Sequence, residues 1–172
     1  MKKILVTGGL GFIGSHTVVE LQQEGFDVVI IDNLSNSTID VLDKITSITN
    51  QKPEYHYIDL RDKRAVKAFF ANNAIDGVIH FAASKAVGES VQIPLEYYEN
   101  NISSLVYVLQ EMTANNINNF IFSSSCTVYG QADELPITEN APIKPAESPY
   151  GNTKQIGEEI IKDTTKVSDC TL

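Results

Sequence analysis

The chain has 172 residues, 42% hydrophobic and 20% charged, with 13 basic against 22 acidic residues and a net charge of −9. That length suits one domain with a real core, and that composition a globular, soluble protein. The absence of any basic run or aromatic–basic interleaving argues against a nucleic-acid surface, whereas a nucleotide stays open because backbone dipoles can hold phosphates. Cys126 and Cys170 make neither a disulfide framework nor a metal-ligand spacing, so no metal site is expected and a reducing cytoplasm is the simplest compartment. The apolar run after Met1-Lys2-Lys3 breaks at Thr7-Gly8-Gly9, too soon for a signal core or a membrane span. No internal repeat or low-complexity linker interrupts the chain.

Ile4-Leu5-Val6 is too short for a helix and fits a buried parallel strand. Two overlapping glycine patterns follow, Gly9-x-Gly11-x-x-Gly14 and Gly8-x-x-Gly11-x-x-Gly14. Glycines at such spacing let a turn adopt unusual backbone angles and approach a pyrophosphate, which the next helix meets with its free N–H groups. A lone glycine pattern is weak; here a strand precedes it and a helix, His16 to Gln23, closed by Gly25, follows. Val18, Val19 and Leu21 are that helix's packing residues. The run Phe26 to Ile31 predicts a second strand, ending at Asp32, where a carboxylate would accept both ribose hydroxyls of an adenosine and disfavour a 2′-phosphate. Asp32 reads otherwise as a turn residue opening the polar stretch to Ser37.

Ile39 to Ile48 is helical and is broken by Lys52-Pro53; Tyr55 to Ile58 is a strand ending at Asp59-Leu60. Asp62 caps a helix carrying Ala65, Val66, Ala68, Phe69 and Phe70. Val78 to Phe81 is a buried strand, and Leu95 to Ala114 a long helix with Leu105, Val108, Leu109 and Met112 on its apolar side. Phe120 to Phe122 is a fifth strand running into Ser123-Ser124-Ser125, and Gln131 to Pro149 is loop. A last helix runs from Pro149 or Tyr150 to about Val167, with Ser148 as cap. Strands alternating with helices predict an α/β, doubly wound parallel sheet of the Rossmann kind, with right-handed crossovers. Ligands bind such sheets beyond the strands' carboxyl ends, so Gly8–Gly14, Asp32, Asp59, Ala82–Lys85 and Ser123–Ser125 should open on one crevice.

Tyr150-x-x-x-Lys154 puts a phenol and an ammonium on one helix face. A free phenol titrates near ~10; a neighbouring ammonium favours the phenolate and brings it toward use as a base. The bland reading is a solvated helix face. Of the three serines, one could hydrogen-bond a substrate hydroxyl beside the tyrosine, or all could be a polar strand end. His80, inside an apolar run, reads as a satisfied core histidine. His16 and His56 have no partner pattern, the asparagine pairs at 72–73, 100–101 and 115–116 read as turn or cap residues, and Tyr97, Tyr98 and Tyr107 as helix-surface or interface anchors.

The segments Val6–His16, Asp32–Ser37, His80–Ser90, Pro94–Tyr98 with Asn100-Asn101, Phe122–Gly130 and Ser148–Lys154 lie in one order along nearly the whole chain. Taken together they resemble the extended branch of the short-chain dehydrogenase/reductase superfamily, and within it the UDP-glucose 4-epimerases. The resemblance implies NAD as cofactor. Gly8, Gly11, Phe12, Ile13 and Gly14 would form the pyrophosphate turn, and Asp32, Asn33, Leu34, Ser35, Asn36 and Ser37 would hold the adenosine ribose. Asp59 and Leu60 would flank the adenine, while Phe81, Ala82, Ala83, Ser84, Lys85 and Asn100 would line the rest. Ser125 would hold the sugar hydroxyl, Tyr150 would be the base and Lys154 would bind the nicotinamide ribose; Lys85, Ser125 and Tyr150 would meet a UDP-sugar. The implied reaction takes a proton from the sugar's 4-hydroxyl while a hydride passes to NAD, turns the keto sugar over and returns the hydride to its other face. Galactose metabolism, a cytoplasmic location and, for the full-length protein, a homodimer belong to the same implication. Family members run to about twice this length, and their C-terminal part carries most of the UDP-sugar site. The chain therefore reads as an NAD-binding domain over 1–172 that stops at Asp169–Leu172, where a sixth strand would begin. A 4,6-dehydratase or decarboxylase on the same scaffold is one alternative, disfavoured because Cys126 and Thr127 stand where dehydratases of the family carry an acidic pair. A non-catalytic NAD-binding module is another. Glucose and N-acetylhexosamine substrates are not separated by these residues.

Overall fold

The structure, a computed structural model, is described over residues 1–166. Strands β1 (Lys3–Thr7), β2 (Asp27–Asp32), β3 (Glu54–Tyr57), β4 (Gly77–His80) and β5 (Phe120–Phe122) form one sheet in the order β3-β2-β1-β4-β5. Every pairing is parallel. Helices α1 (Phe12–Gln23), α2 (Asp40–Thr49), α3 (Lys63–Asn72), α4 (Val87–Gln92), α5 (Pro94–Ala114) and α6 (Pro149–Thr165) make the connections, with a 3-10 turn at Cys126–Tyr129.

Side-chain alternation sorts the strands' apolar residues onto two faces. Leu5, Val29, Ile31 and Val78 face Val66, Phe69 and Phe70 of α3 and Leu105, Val108, Leu109 and Met112 of α5, with Ile160 and Ile161 of α6 against them. Val6, Val28 and Ile30 face Val18 of α1 and Leu42 and Ile45 of α2. Strands apolar on both faces are what a sheet covered by helices on each side requires. Each fully buried Leu, Ile or Val contributes about 1.5–3 kcal/mol relative to exposure.

The strand runs fall where the sequence predicts, shifted by a residue at some ends. Asp62 accepts from the Arg64 and Ala65 amides and Ser148 from the Gly151 amide, as the two caps require. The segment 131–148 contains neither helix nor strand. Helix α1 begins earlier than expected, at Phe12 rather than His16, and α4 and the 3-10 turn were not anticipated. Tyr97 corrects another expectation: it is no surface anchor but 1% exposed, inside the fold. Asn100 and Asn101 sit in the middle of α5 rather than at a turn. The expected extension of α6 to Val167, Cys170 and the stop at Asp169–Leu172 lie outside the described residues. From β1 the chain winds outward through β2 to β3, then returns to place β4 on β1's other side. The crevice therefore opens between the ends of β1 and β4, where the winding reverses.

Candidate functional site

The turn after β1 is built so tightly that only glycine fits at its two critical positions. Gly8 has φ +67°, and a Cβ there would stand 2.8 Å from the Ala82 amide nitrogen, where the β1 and β4 loops meet. A Cβ on Gly14 would stand 2.2 Å from the Gly8 carbonyl oxygen, so α1 starts in contact with the turn itself. Gly11, the residue before α1, offers no side-chain cap, and no acid stands in the first turn. The helix thus presents its amides and positive end uncompensated. An open cleft of about 470 Å³ lies beside it, lined by Leu10, Gly11, Phe12 and Ser15 on one side and Ser35–Thr38 on the other. Phe12, which lines it, is 77% exposed, and its neighbour Ile13 is 57% exposed.

Asp32 lies buried behind the cleft, bonded to two of the residues that line it. Its Oδ2 accepts from the Leu10 amide (3.1 Å), and its Oδ1 accepts from the Leu34 amide (2.9 Å) and the Ser37 hydroxyl (2.8 Å). These bonds give Asp32 the turn role of its two readings: it orders the loop after β2 and ties it to the glycine turn. Oδ2 carries a single bond, and a carboxylate oxygen can take more. Next along the sheet, Arg61 holds the Asp59 carboxyl below its usual range, pairing Nη2 to Oδ2 at 2.7 Å. Leu60 differs from its neighbours in having its side chain in the core, 5% exposed, which leaves only its backbone for a ligand.

Across the crevice, the segment after β4 is fixed by α5. The buried Asn101 accepts from the Ser84 amide (2.8 Å) through Oδ1, and donates through Nδ2 to the Ser84 carbonyl (2.9 Å) and to Thr153 Oγ1 (3.0 Å). Thr153 Oγ1 in turn donates to the Tyr150 carbonyl at 2.7 Å. Asn100 donates to Ser84 Oγ at 3.2 Å. One asparagine thereby ties the β4 loop to the helix of Tyr150. The sequence contained a signal for it: Asn101 lies on the stripe Tyr97, Leu105, Val108, Met112 that α5 buries.

At the end of β5, Ser125 precedes the 3-10 turn and its Oγ accepts from the Thr127 hydroxyl (3.0 Å) and amide (3.3 Å). Ser124 bonds Glu158. Tyr150 and Lys154 open α6, both almost fully buried. Lys154 Nζ donates to the Ser123 carbonyl at 2.6 Å and stands 4.6 Å from the Phe122 ring centroid. Burial brings its pKa down to about 8, with Glu158 acting the other way. Phe122 stacks on His80 (6.2 Å), whose Nδ1 meets Thr7 Oγ1 at 2.8 Å. His80 is the core histidine its sequence context suggests: burial, and to a lesser degree Lys154, lower its pKa to about 3. The strand-end serines, Tyr150 and Lys154 are thus brought to one place, with the Ser84–Lys85 segment on the neighbouring strand end. Among the described residues no group of three or more His, Cys, Asp or Glu side chains could hold a metal, and no helix is long and apolar enough to cross a membrane.

A five-stranded doubly wound sheet with an uncapped glycine turn at its switch point defines an α/β protein of the nucleotide-binding class. The chain belongs to the GDP-mannose 4,6 dehydratase family, whose profile matches residues 5–171. It is 49% identical over 166 residues to a UDP-glucose 4-epimerase of Neisseria meningitidis, covering 96% of this chain and 49% of that protein. It is 50% identical over 169 residues to a UDP-glucose 4-epimerase of Schizosaccharomyces pombe, covering 96% and 47%. The crystal structure of UDP-glucose 4-epimerase from Bifidobacterium longum in complex with NAD+ and UDP superposes with a TM-score of 0.93 at 45% identity, over 96% of this chain and 49% of that one. The chain thus spans about half the length of the relatives it matches.

Proposed function

We propose that residues 1–172 form the NAD-binding part of an enzyme that interconverts UDP-glucose and UDP-galactose by transient oxidation at the sugar's C4. The observation that carries this reading is the Lys154 contact to the Ser123 carbonyl, which holds the start of α6, where Tyr150 also stands, against the end of β5 and its serines. The pocket suits the cofactor: the amides at the start of α1 would take the pyrophosphate, and Asp32 Oδ2 with the Asn33–Ser37 loop the adenosine ribose. Asp59, the Leu60 backbone, Phe81–Lys85 and Asn100 would line the remainder. When bound, NAD supplies the hydride acceptor and donor that redox at C4 requires. The protein's own work is proton transfer and orientation. Ser125 holds the C4 hydroxyl, Tyr150 takes its proton and gives it back, and Lys154 stabilises the phenolate by its charge while also holding cofactor ribose. Lys85 reaches the UDP-sugar.

The dehydratase reading finds less support, because Cys126 and Thr127 follow Ser125 and neither can do an acidic pair's proton work. A non-catalytic NAD-binding module would use the same turn and Asp32 but would have no use for Ser125, Tyr150 and Lys154 together. A cytoplasmic location, a role in galactose metabolism and a homodimer go with the epimerase reading. An apolar groove of about 290 Å³ between α5 and α6, lined by Val106, Leu109 and Ile160 among others, supports self-association.

The test is an assay of the purified 172-residue chain with UDP-galactose and added NAD, beside a protein of the relatives' full length carrying these residues. The expected outcome is NAD binding by both and epimerisation by the longer protein alone. Catalysis draws on binding energy from the uridine and phosphates, which a cofactor half does not supply. Loss of NAD binding by both would overturn the reading, and comparable turnover by both would overturn the assignment of the sugar-nucleotide site to the other half.

A further inference from the structure

Helix α4 stands beside the proposed crevice with little apolar packing of its own. Its buried residue is Ser90, and Val87 and Val91 are 46% and 61% exposed. It has no side-chain cap, since Ala86 precedes it. Yet it follows directly on Ser84 and Lys85, which the proposed function assigns to the cofactor and substrate wall. Burial alone would leave this segment free to fray, because few apolar contacts and exposed backbone are the marks of a low-stability element.

A buried tyrosine supplies what is missing. Tyr97 stands on α5, 1% exposed, with its hydroxyl between two groups of the α4 segment. It donates to Glu89 Oε2 at 2.6 Å and accepts from the Ala86 amide at 3.0 Å. The phenol therefore caps α4 from outside and grips its first turn through Glu89. Burial, reinforced by the Glu89 carboxylate, pushes the Tyr97 pKa up to about 12, so the donor stays protonated over the working range. Tyr97 also lies close enough to Tyr150 for the two phenols to interact electrostatically.

We propose that the Tyr97–Glu89 pair is a latch that positions the Ser84–Ala86 wall of the cofactor crevice, acting through α4 without touching the ligand. Two features make a tether here more than a packing contact. The hydrogen bond has an ionised acceptor, the stronger kind, and both partners' polar atoms meet only through the fold, since Glu89 is otherwise on an exposed helix. Asn101 holds the same wall at Ser84, so the latch fixes the second of two points and sets the direction in which Lys85 leaves the sheet.

The inference rests on the NAD reading above, and its test separates the two. Amide hydrogen exchange over residues 84–92 and NAD affinity are measured on the intact chain and on Tyr97→Phe, Glu89→Ala and Glu89→Gln. Tyr97→Phe keeps the ring in the core and removes both bonds; melting confirms that each variant is folded. Tyr97→Phe and Glu89→Ala are expected to speed exchange at 86–92 and to weaken NAD about tenfold, the effect of losing one charge-assisted hydrogen bond. Glu89→Gln, which still accepts from the phenol but without the charge, is expected to fall between the unmodified chain and Glu89→Ala in both properties, an ordering that general loss of stability would not give. Unchanged exchange in Tyr97→Phe would overturn the latch whatever NAD does. Faster exchange with unchanged NAD affinity would overturn its positioning role and leave a simple tether. Absence of NAD binding in the unmodified chain would overturn the functional reading, with exchange still deciding whether the latch exists.

Discussion

Lys154 is 4% exposed, and an ammonium so enclosed is costly unless something meets it. Here the Ser123 carbonyl and the Phe122 face meet it, and burial still leaves its pKa only about 8. It is charged at neutral pH, as a partner for a phenolate must be, and it loses that charge within the mildly alkaline range. Lys154→Met keeps the stem and removes the charge and the donor; NAD affinity should fall about tenfold or more, measured by fluorescence titration. Tyr150→Phe in a full-length protein keeps the ring packing, so turnover should fall by ~10² or more while NAD binding changes little. At the other end of the crevice, Asp32→Ala should narrow the preference for NAD over NADP, since the carboxylate that repels a 2′-phosphate is gone. Equal affinities in the unmodified chain would remove that role. The same substitution should also loosen the turn, because the Leu10, Leu34 and Ser37 donors lose their acceptor.

At the scale of elements, the junction of β1 with α1 depends on Gly14. Ala there would set its Cβ 2.2 Å from the Gly8 carbonyl, a backbone atom that no side-chain rotation can clear. Gly14→Ala should therefore destabilise by more than the ordinary helix gain from Ala can offset, and should abolish NAD binding first; chemical denaturation beside a titration reads both. The same junction explains where the sequence misplaced a boundary. Phe12 and Ile13 are exposed and Gly14 is a poor helix former, so the first turn carries no apolar periodicity to read. Helix α4 escaped notice for a related reason, having one buried residue in six. The buried strands and the caps Asp62 and Ser148 were legible because their signals are local. For Tyr97 and Asn101 the stripe of α5 signals burial but not bonding, since their partners, Glu89 and Ala86 for one and Ser84 and Thr153 for the other, meet them only after the chain has folded.

For the molecule as a whole, the site is assembled from segments that are remote in sequence and adjacent at the sheet's carboxyl edge. That is why the strand ends could be read from local patterns while the bonding between them could not. His80 sits at the middle of this assembly, packed between Phe120 and Phe122 and bonded to Thr7. Burial keeps it neutral in the fold, with a pKa lowered from 6.5 to about 3. Below about pH 6.5 the unfolded chain takes up a proton that the folded chain refuses, so stability falls as pH drops from 6.5 toward 3. One proton of difference sets a slope of at most about 1.4 kcal/mol per pH unit. The carboxyls of Asp59 and Glu54 are also lowered, by Arg61 and by Lys3 respectively, so their contribution too is lost in acid, but only once the pH reaches the ordinary carboxylate range near 4. The two causes therefore occupy different windows. His80→Asn leaves a polar side chain to meet Thr7 and removes the titrating ring. Compared with the unmodified chain, its melting temperature at pH 7 should be lower, since a packed ring is lost, but its further decline between pH 6.5 and 4.5 should be much flatter. Parallel declines of the two proteins over that interval, followed by differential scanning calorimetry, would show that the acid sensitivity of this fold there does not arise from its buried histidine.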